Sequence, residues 1–193
     1  ENQETLENEV IFEGDRLEDN FDNVPGQWGT IWLFQGSINN IVNYSTIKNS
    51  TIGIYTEGFL NSSNQLVINN SKIYNSSNFG ILAKSSSIEA SNLIINRSGQ
   101  SSFAATYGGN YNLTHCTITN YWNNSFRQFP SLLVNNYWID NNGEILNNPN
   151  LNFNISNSII YGNENIEFLV EQFDDTNLNF KFQNCLIKFN DIN

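Results

Sequence analysis

Few side chains in this chain could do chemistry, and their spacing decides which chemistry is open to them. His115 is the only histidine, and it precedes Cys116, one of two cysteines; the other is Cys185. No ligand spacing links the three, so neither a metal nor any other cofactor is expected there. A lone histidine in a polar turn position serves more naturally as a hydrogen-bonding stand-in for asparagine than as a general base. Glu13, Asp15, Glu18, Asp19 and Asp22, and separately Asp174 and Asp175, could gather Ca²⁺. Neither set follows an EF-hand loop or a GGxGxD repeat, so solvated acidic turns are expected instead. The Asn-x-Ser/Thr triplets at Asn43 and Asn112 follow from composition.

Aromatic residues offer the best candidate site. Tyr121, Trp122, Phe126, Tyr137 and Trp138 cluster with Arg127 and Asp140. Aromatic faces flanked by charged groups and amides are what sugar rings stack and hydrogen-bond against. Tyr121, Trp122, Arg127, Tyr137 and Trp138 are therefore the expected carbohydrate-binding residues, and no residue is assigned a catalytic role. The competing expectation is that these aromatics fold back to cover the protein's own side or make a protein contact.

The elements that hold them are read from a repeat. A small residue, any residue, Ile, any residue and usually Asn recurs at 45–49, 71–75, 92–96 and 116–120, with weaker copies at 158–162 and 185–189. The anchors are Ile47, Ile73, Ile94, Ile118, Ile160 and Ile187, spaced by 26, 21, 24, 42 and 27 residues. Five residues earlier stand Val42, Ile68, Glu89, Leu113, Ile155 and Phe182, apolar in all but one case. A further apolar strand follows each of the first five anchors, at 52, 80, 103, 132 and 168, with an earlier copy at 31. Short β-favouring strands with period-two alternation, separated by polar turns, cannot bury an apolar face alone but can when like positions stack. The expected fold is all-β: a single-stranded, right-handed parallel β-helix of about 6–7 coils, the hand following from the rule for parallel crossovers.

Residues 1–30 form an acidic N-terminal segment and first cap, and residues 31–193 the repeats, with loop insertions near 121–130 and 136–150. The 42-residue interval exceeds one coil and produces those loops. Asn49, Asn75, Asn96 and Asn120 fall at one repeat position, where amides about 4.8 Å apart can form a ladder. That gives a structural reason for 38 asparagines among 193 residues. Cys116 and Cys185 share a column with Ser158 between them, which is too far for a disulfide.

Outward columns before the anchors (Thr46, Lys72, Leu93, Thr117, Ile159, Leu186) and after them (Lys48, Tyr74, Ile95, Thr119, Tyr161, Lys188) contain no carboxylate. The paired acids of a glycoside hydrolase therefore have no place on that face. A net charge of −11 with only 8 Lys and Arg argues against nucleic acid as a partner. No apolar run is long enough for a transmembrane segment, and Glu1 opens an acidic stretch rather than a leader, so a leader is expected to have been removed or to lie upstream.

Several segments carry a family resemblance: GDRLE at 14–18, PGQWGTIWL at 25–33, ATYGGNY at 105–111, HCTITNYW at 115–122 and SIIYGN at 158–163. On them the chain resembles the right-handed parallel β-helix proteins of the pectin-lyase-like superfamily, and most closely an uncharacterised group of secreted or outer-membrane lipoproteins of Bacteroidetes. The resemblance implies a secreted, periplasmic or outer-membrane location. The expected function is a non-catalytic binding or structural role towards polysaccharide. The alternatives are a polysaccharide lyase or glycoside hydrolase of that superfamily, or a spacer or adhesin segment of a larger surface protein.

Overall fold

The computed structural model describes residues 9–58, 65–147, 150–173 and 178–189. In chain order the strands are β1 (Val10–Phe12), β2 (Ile31–Leu33), β3 (Asn40–Asn43), β4 (Ser45–Lys48), β5 (Ile54–Glu57), β6 (Leu66–Ser76), β7 (Ile81–Ser98), β8 (Phe103–Thr114) and β9 (Thr117–Asn120). They continue as β10 (Leu132–Asn135), β11 (Tyr137–Ile139), β12 (Ile145–Asn147), β13 (Leu151–Ser156), β14 (Ile159–Gly162), β15 (Phe168–Glu171), β16 (Leu178–Gln183) and β17 (Leu186–Ile187). The protein is all-β, and fifteen of these strands belong to one sheet whose pairings are parallel. The other two, β11 and β12, form an antiparallel hairpin.

Register sorts the inward side chains into three columns. The first runs Ile47, Ile73, Ile95, Ile118, Ile160, Ile187, with the exposed Phe12 in register with Ile47 at its end. The second runs Ile31, Ile54, Ile81, Phe103, Leu132, Phe168. The third runs Val42, Ile68, Ala90, Leu113, Ile155, Phe182. Members of all three columns meet in one apolar cluster. Alternation along each strand sends every second side chain into that cluster and leaves its neighbours outside.

One row departs from the expected register. Ile95, not Ile94, pairs with Ile73 and Ile118, and Ala90, not Glu89, pairs with Ile68 and Leu113. Ile95 is 0% exposed and Ile94 43%. The reason is burial: a one-residue slip exchanges the two faces of a strand, and only this register keeps the Glu89 carboxylate out of the core. Asn96 consequently leaves the expected amide column, and Arg97 takes its place.

The corners explain six of the asparagines. Tyr44, Asn70, Asn92, His115, Asn157 and Asn184 occupy one corner with φ of 50, 51, 51, 54, 49 and 53°. This left-handed conformation is strained for most L-residues and best tolerated by Asn, with His among the enriched types. Asn49, Asn75 and Arg97 hold a second left-handed corner, with φ of 61, 60 and 57°. Between rows the amides bond in one direction: Asn70 donates to Asn43 (3.2 Å), Asn92 to Asn70 (2.9 Å), Asn75 to Asn49 (2.6 Å) and Asn184 to Asn157 (3.3 Å). Asn120 lies outside this ladder, giving its amide hydrogens to the Ser98 and Gln100 carbonyls, both at 2.8 Å. Both cysteines are free; Cys116 is buried and Cys185 half-buried. Burial pushes the Cys116 thiol up to about 11.

Candidate functional site

The expected site residues fall in two separate places. Trp122 and Arg127 lie in the 121–131 loop and are 5% and 3% exposed. Trp122 donates its indole N–H to Ser125 Oγ (2.9 Å), while the Asn163 side chain donates to the Trp122 carbonyl (3.0 Å). Arg127 grips Glu167 with two parallel bonds, Nη1 to Oε2 at 2.9 Å and Nη2 to Oε1 at 2.6 Å. Glu167 is itself 0% exposed and accepts further bonds from the Ser131 N–H (2.8 Å), the Ser131 hydroxyl (2.7 Å) and the Glu164 N–H (2.8 Å). A carboxylate enclosed by five donors is bound as structure, and a buried indole has no face to offer a ring. Tyr121 and Phe126 stay exposed.

Tyr137 and Trp138 belong to the β11–β12 hairpin, which contacts β8. Its turn is set by Asp140, whose Oδ1 accepts the Asn142 and Glu144 N–H groups, both at 2.8 Å. Its base is clamped by Asn136, whose amide exchanges two bonds with the Phe173 backbone. The indole of Trp138 lies 4.4 Å from Lys84 Nζ, which also stands 5.8 Å from the Tyr107 ring. Tyr137 donates its hydroxyl to Glu171 Oε2 at 2.7 Å, and burial together with that bond pushes the phenol up to about 12.

Lys84 and Glu171 lie on the outward side of the second strand column. There Trp32, Tyr55, Leu82, Ala104, Leu133 and Leu169 stand in register, and Glu57 pairs with Lys84 at the row edge. Leu82, Ala104 and Leu133 form a buried apolar floor, with Ile52, Tyr55, Phe79 and Leu169 packed against it. At one end Trp32, 51% exposed, stacks on Tyr55 (centroids 5.3 Å, planes 27° apart) and leans on exposed Phe34 at 4.9 Å. Tyr55 gives its hydroxyl to Glu57. The result is an aromatic shelf with hydrogen-bonding groups along one edge. Sequence reasoning missed Trp32, Tyr55 and Lys84, reading their strands only as apolar runs. The signal was present, because alternation within 31–33 and 54–57 sends Trp32 and Tyr55 to the same outward side.

Other candidates are engaged elsewhere. His115 Nε2 lies 3.3 Å from the Asn157 amide, continuing the amide corner. Glu13 and Asp22 both bind Lys48, at 2.8 and 2.9 Å. Asp174 and Asp175 lie outside the described residues. Among the described residues no three His, Cys, Asp or Glu side chains converge as a metal site. A groove of about 220 Å³ crosses the third strand column over Asn112, Asn154 and Lys181. The chain matches no family model, no curated protein and no solved structure.

Proposed function

We propose that the chain is a right-handed parallel β-helix of the pectin-lyase-like kind, akin to the secreted and outer-membrane lipoproteins of Bacteroidetes, and that it binds polysaccharide at a cell surface without cleaving it. The solenoid reading is supported by three parallel columns in register around one apolar cluster, since repeats of this kind bury their faces only by stacking. The binding reading rests on one observation above all: Trp32 is half-exposed and stacked on Tyr55, on the same side of the sheet as Lys84 and Trp138. Large aromatic faces left open to water on a rigid strand platform mark an interaction surface. Carbohydrate suits it because sugar rings present C–H faces to the aromatics and hydroxyls to the carboxylates and amine at the edge.

A glycan array probed with wild type, Trp32→Ala and Trp138→Ala tests the reading. Binding by wild type and its loss in both variants is expected, with melting temperatures lowered by no more than about 4 °C, the shift of roughly 1 kcal/mol. Wild-type protein that binds no glycan overturns the proposal. Product formation on a polysaccharide panel would establish the lyase or hydrolase alternative instead.

A further inference from the structure

The charges around the shelf narrow the ligand, on the reading that this shelf binds glycan. Its edge carries two carboxylates, Glu57 and Glu171, against one amine, Lys84. Lys84 is directed onto the Trp138 and Tyr107 rings, an arrangement that holds a cation by the ring quadrupole. The remaining cations are committed away from the shelf or stand on other columns. Arg127 is locked to Glu167, Lys48 to Glu13 and Asp22, Lys72 lies 3.6 Å from Glu9, and Lys188 donates to the Gly162 carbonyl. The chain as a whole carries a net charge of −11.

We infer that the shelf takes an uncharged, hydroxyl-rich polysaccharide and rejects a polyuronate. An acidic chain would approach a negative molecule and meet two carboxylates for each amine, a juxtaposition of like charge that costs affinity and slows encounter. A neutral chain faces no such barrier. Its hydroxyls can donate to Glu57 and Glu171 and accept from Lys84, while its ring faces lie on Trp32 and Trp138. Tyr137 and Tyr55 already spend their hydroxyl hydrogens on the two carboxylates, which orients the carboxylates and leaves each of them further lone pairs for a ligand.

Affinity gel electrophoresis with hydroxyethylcellulose as the neutral probe and polygalacturonate as the acidic one decides the matter, each at low and high salt and with or without CaCl₂. Retardation by hydroxyethylcellulose that is insensitive to salt, weakened by about tenfold or more in Trp32→Ala and Trp138→Ala, is expected. Polygalacturonate should leave mobility unchanged, with or without Ca²⁺. Retardation by polygalacturonate that fades at high salt would overturn the neutral-ligand inference while leaving a glycan-binding shelf standing. Retardation by neither probe would overturn this inference and the glycan reading together. Hydroxyethylcellulose binding that survives both tryptophan substitutions in folded protein would overturn the assignment to the shelf.

Discussion

Ile94 and Ile95 are adjacent isoleucines with opposite fates, and they test the register directly. Ile95 is a closed rung between Ile73 and Ile118, whereas Ile94 faces outward. Ile95→Ala should cost about 2–5 kcal/mol in urea unfolding, as should Ile73→Ala and Ile118→Ala, because each removes packed volume from a core that cannot fully collapse. Ile94→Ala should stay within about 0.5 kcal/mol of wild type. Equal losses at the two neighbours would remove the inward and outward assignment. The same residue-scale logic accounts for His115: a left-handed corner selects for Asn, and His is a tolerated substitute there, so no catalytic duty is needed to explain it.

The two excursions between β9 and β13 are built on different physics. The 121–131 loop is fastened by a buried ion pair: Arg127 reaches a carboxylate 40 residues away, and also donates to the Phe129 carbonyl (2.7 Å) and to Asn163 (3.0 Å). Gly162 is required beside it, since a Cβ there would collide with the Glu167 carboxylate and the Asn120 carbonyl. Glu167→Gln should destabilise by about 3–5 kcal/mol, because the Arg127 charge would remain buried without its counter-charge. A double-mutant cycle with Arg127→Met should show strong coupling, the double variant losing less than the sum of the two singles. Losses that simply add would mean the pair does not act as a unit. Glycan retention should be unchanged in whichever of these variants still fold, because the loop is a fastening and the shelf lies elsewhere. The β11–β12 hairpin is shaped by its Asp140 turn and held by the Asn136 clamp, the Tyr137–Glu171 bond and its contacts with β8 and Lys84, and it carries Trp138 to the shelf.

Across the molecule, negative charge gathers in the N-terminal segment, where Glu13 and Asp22 converge on Lys48. The bond to Lys48 and its positive charge hold the Asp22 carboxyl below its ordinary 3.8, and the same two acids hold the Lys48 ammonium well above its ordinary value. For a depressed carboxyl the stabilisation is present above the unfolded value and lost as pH falls through the folded one. For the raised lysine it is present throughout the neutral range and lost only in strong alkali. Lys48→Ala should therefore lower the melting temperature at neutral pH, and the difference from wild type should shrink as pH falls below 3.8. A difference that persists unchanged in acid would show that Lys48 acts through its packed methylenes and not its charge.

The sequence by itself determined the stacked repeat strands and, outside one row, their apolar columns, because side-chain alternation is a local demand that each repeat states anew; it read 136–150 as a loop where β11 and β12 pair, and it did not foresee the left-handed corners. The net charge of −11 with only 8 Lys and Arg likewise needs no coordinates. The one-residue register of the row at 88–98 was not decidable locally: Ile94 and Ile95 are equally apolar, and only stacking against Ile73 and Ile118 separates them. Nor could adjacency in sequence reveal that Trp122 and Arg127 face inward, a fate set by Glu167 and Asn163 some forty residues on. Trp32, Tyr55, Lys84 and Trp138 share one side of the sheet because parallel rows and a folded-over hairpin bring them there. Tertiary structure decided the shelf, since exposure and juxtaposition belong to the packed molecule and not to any one strand.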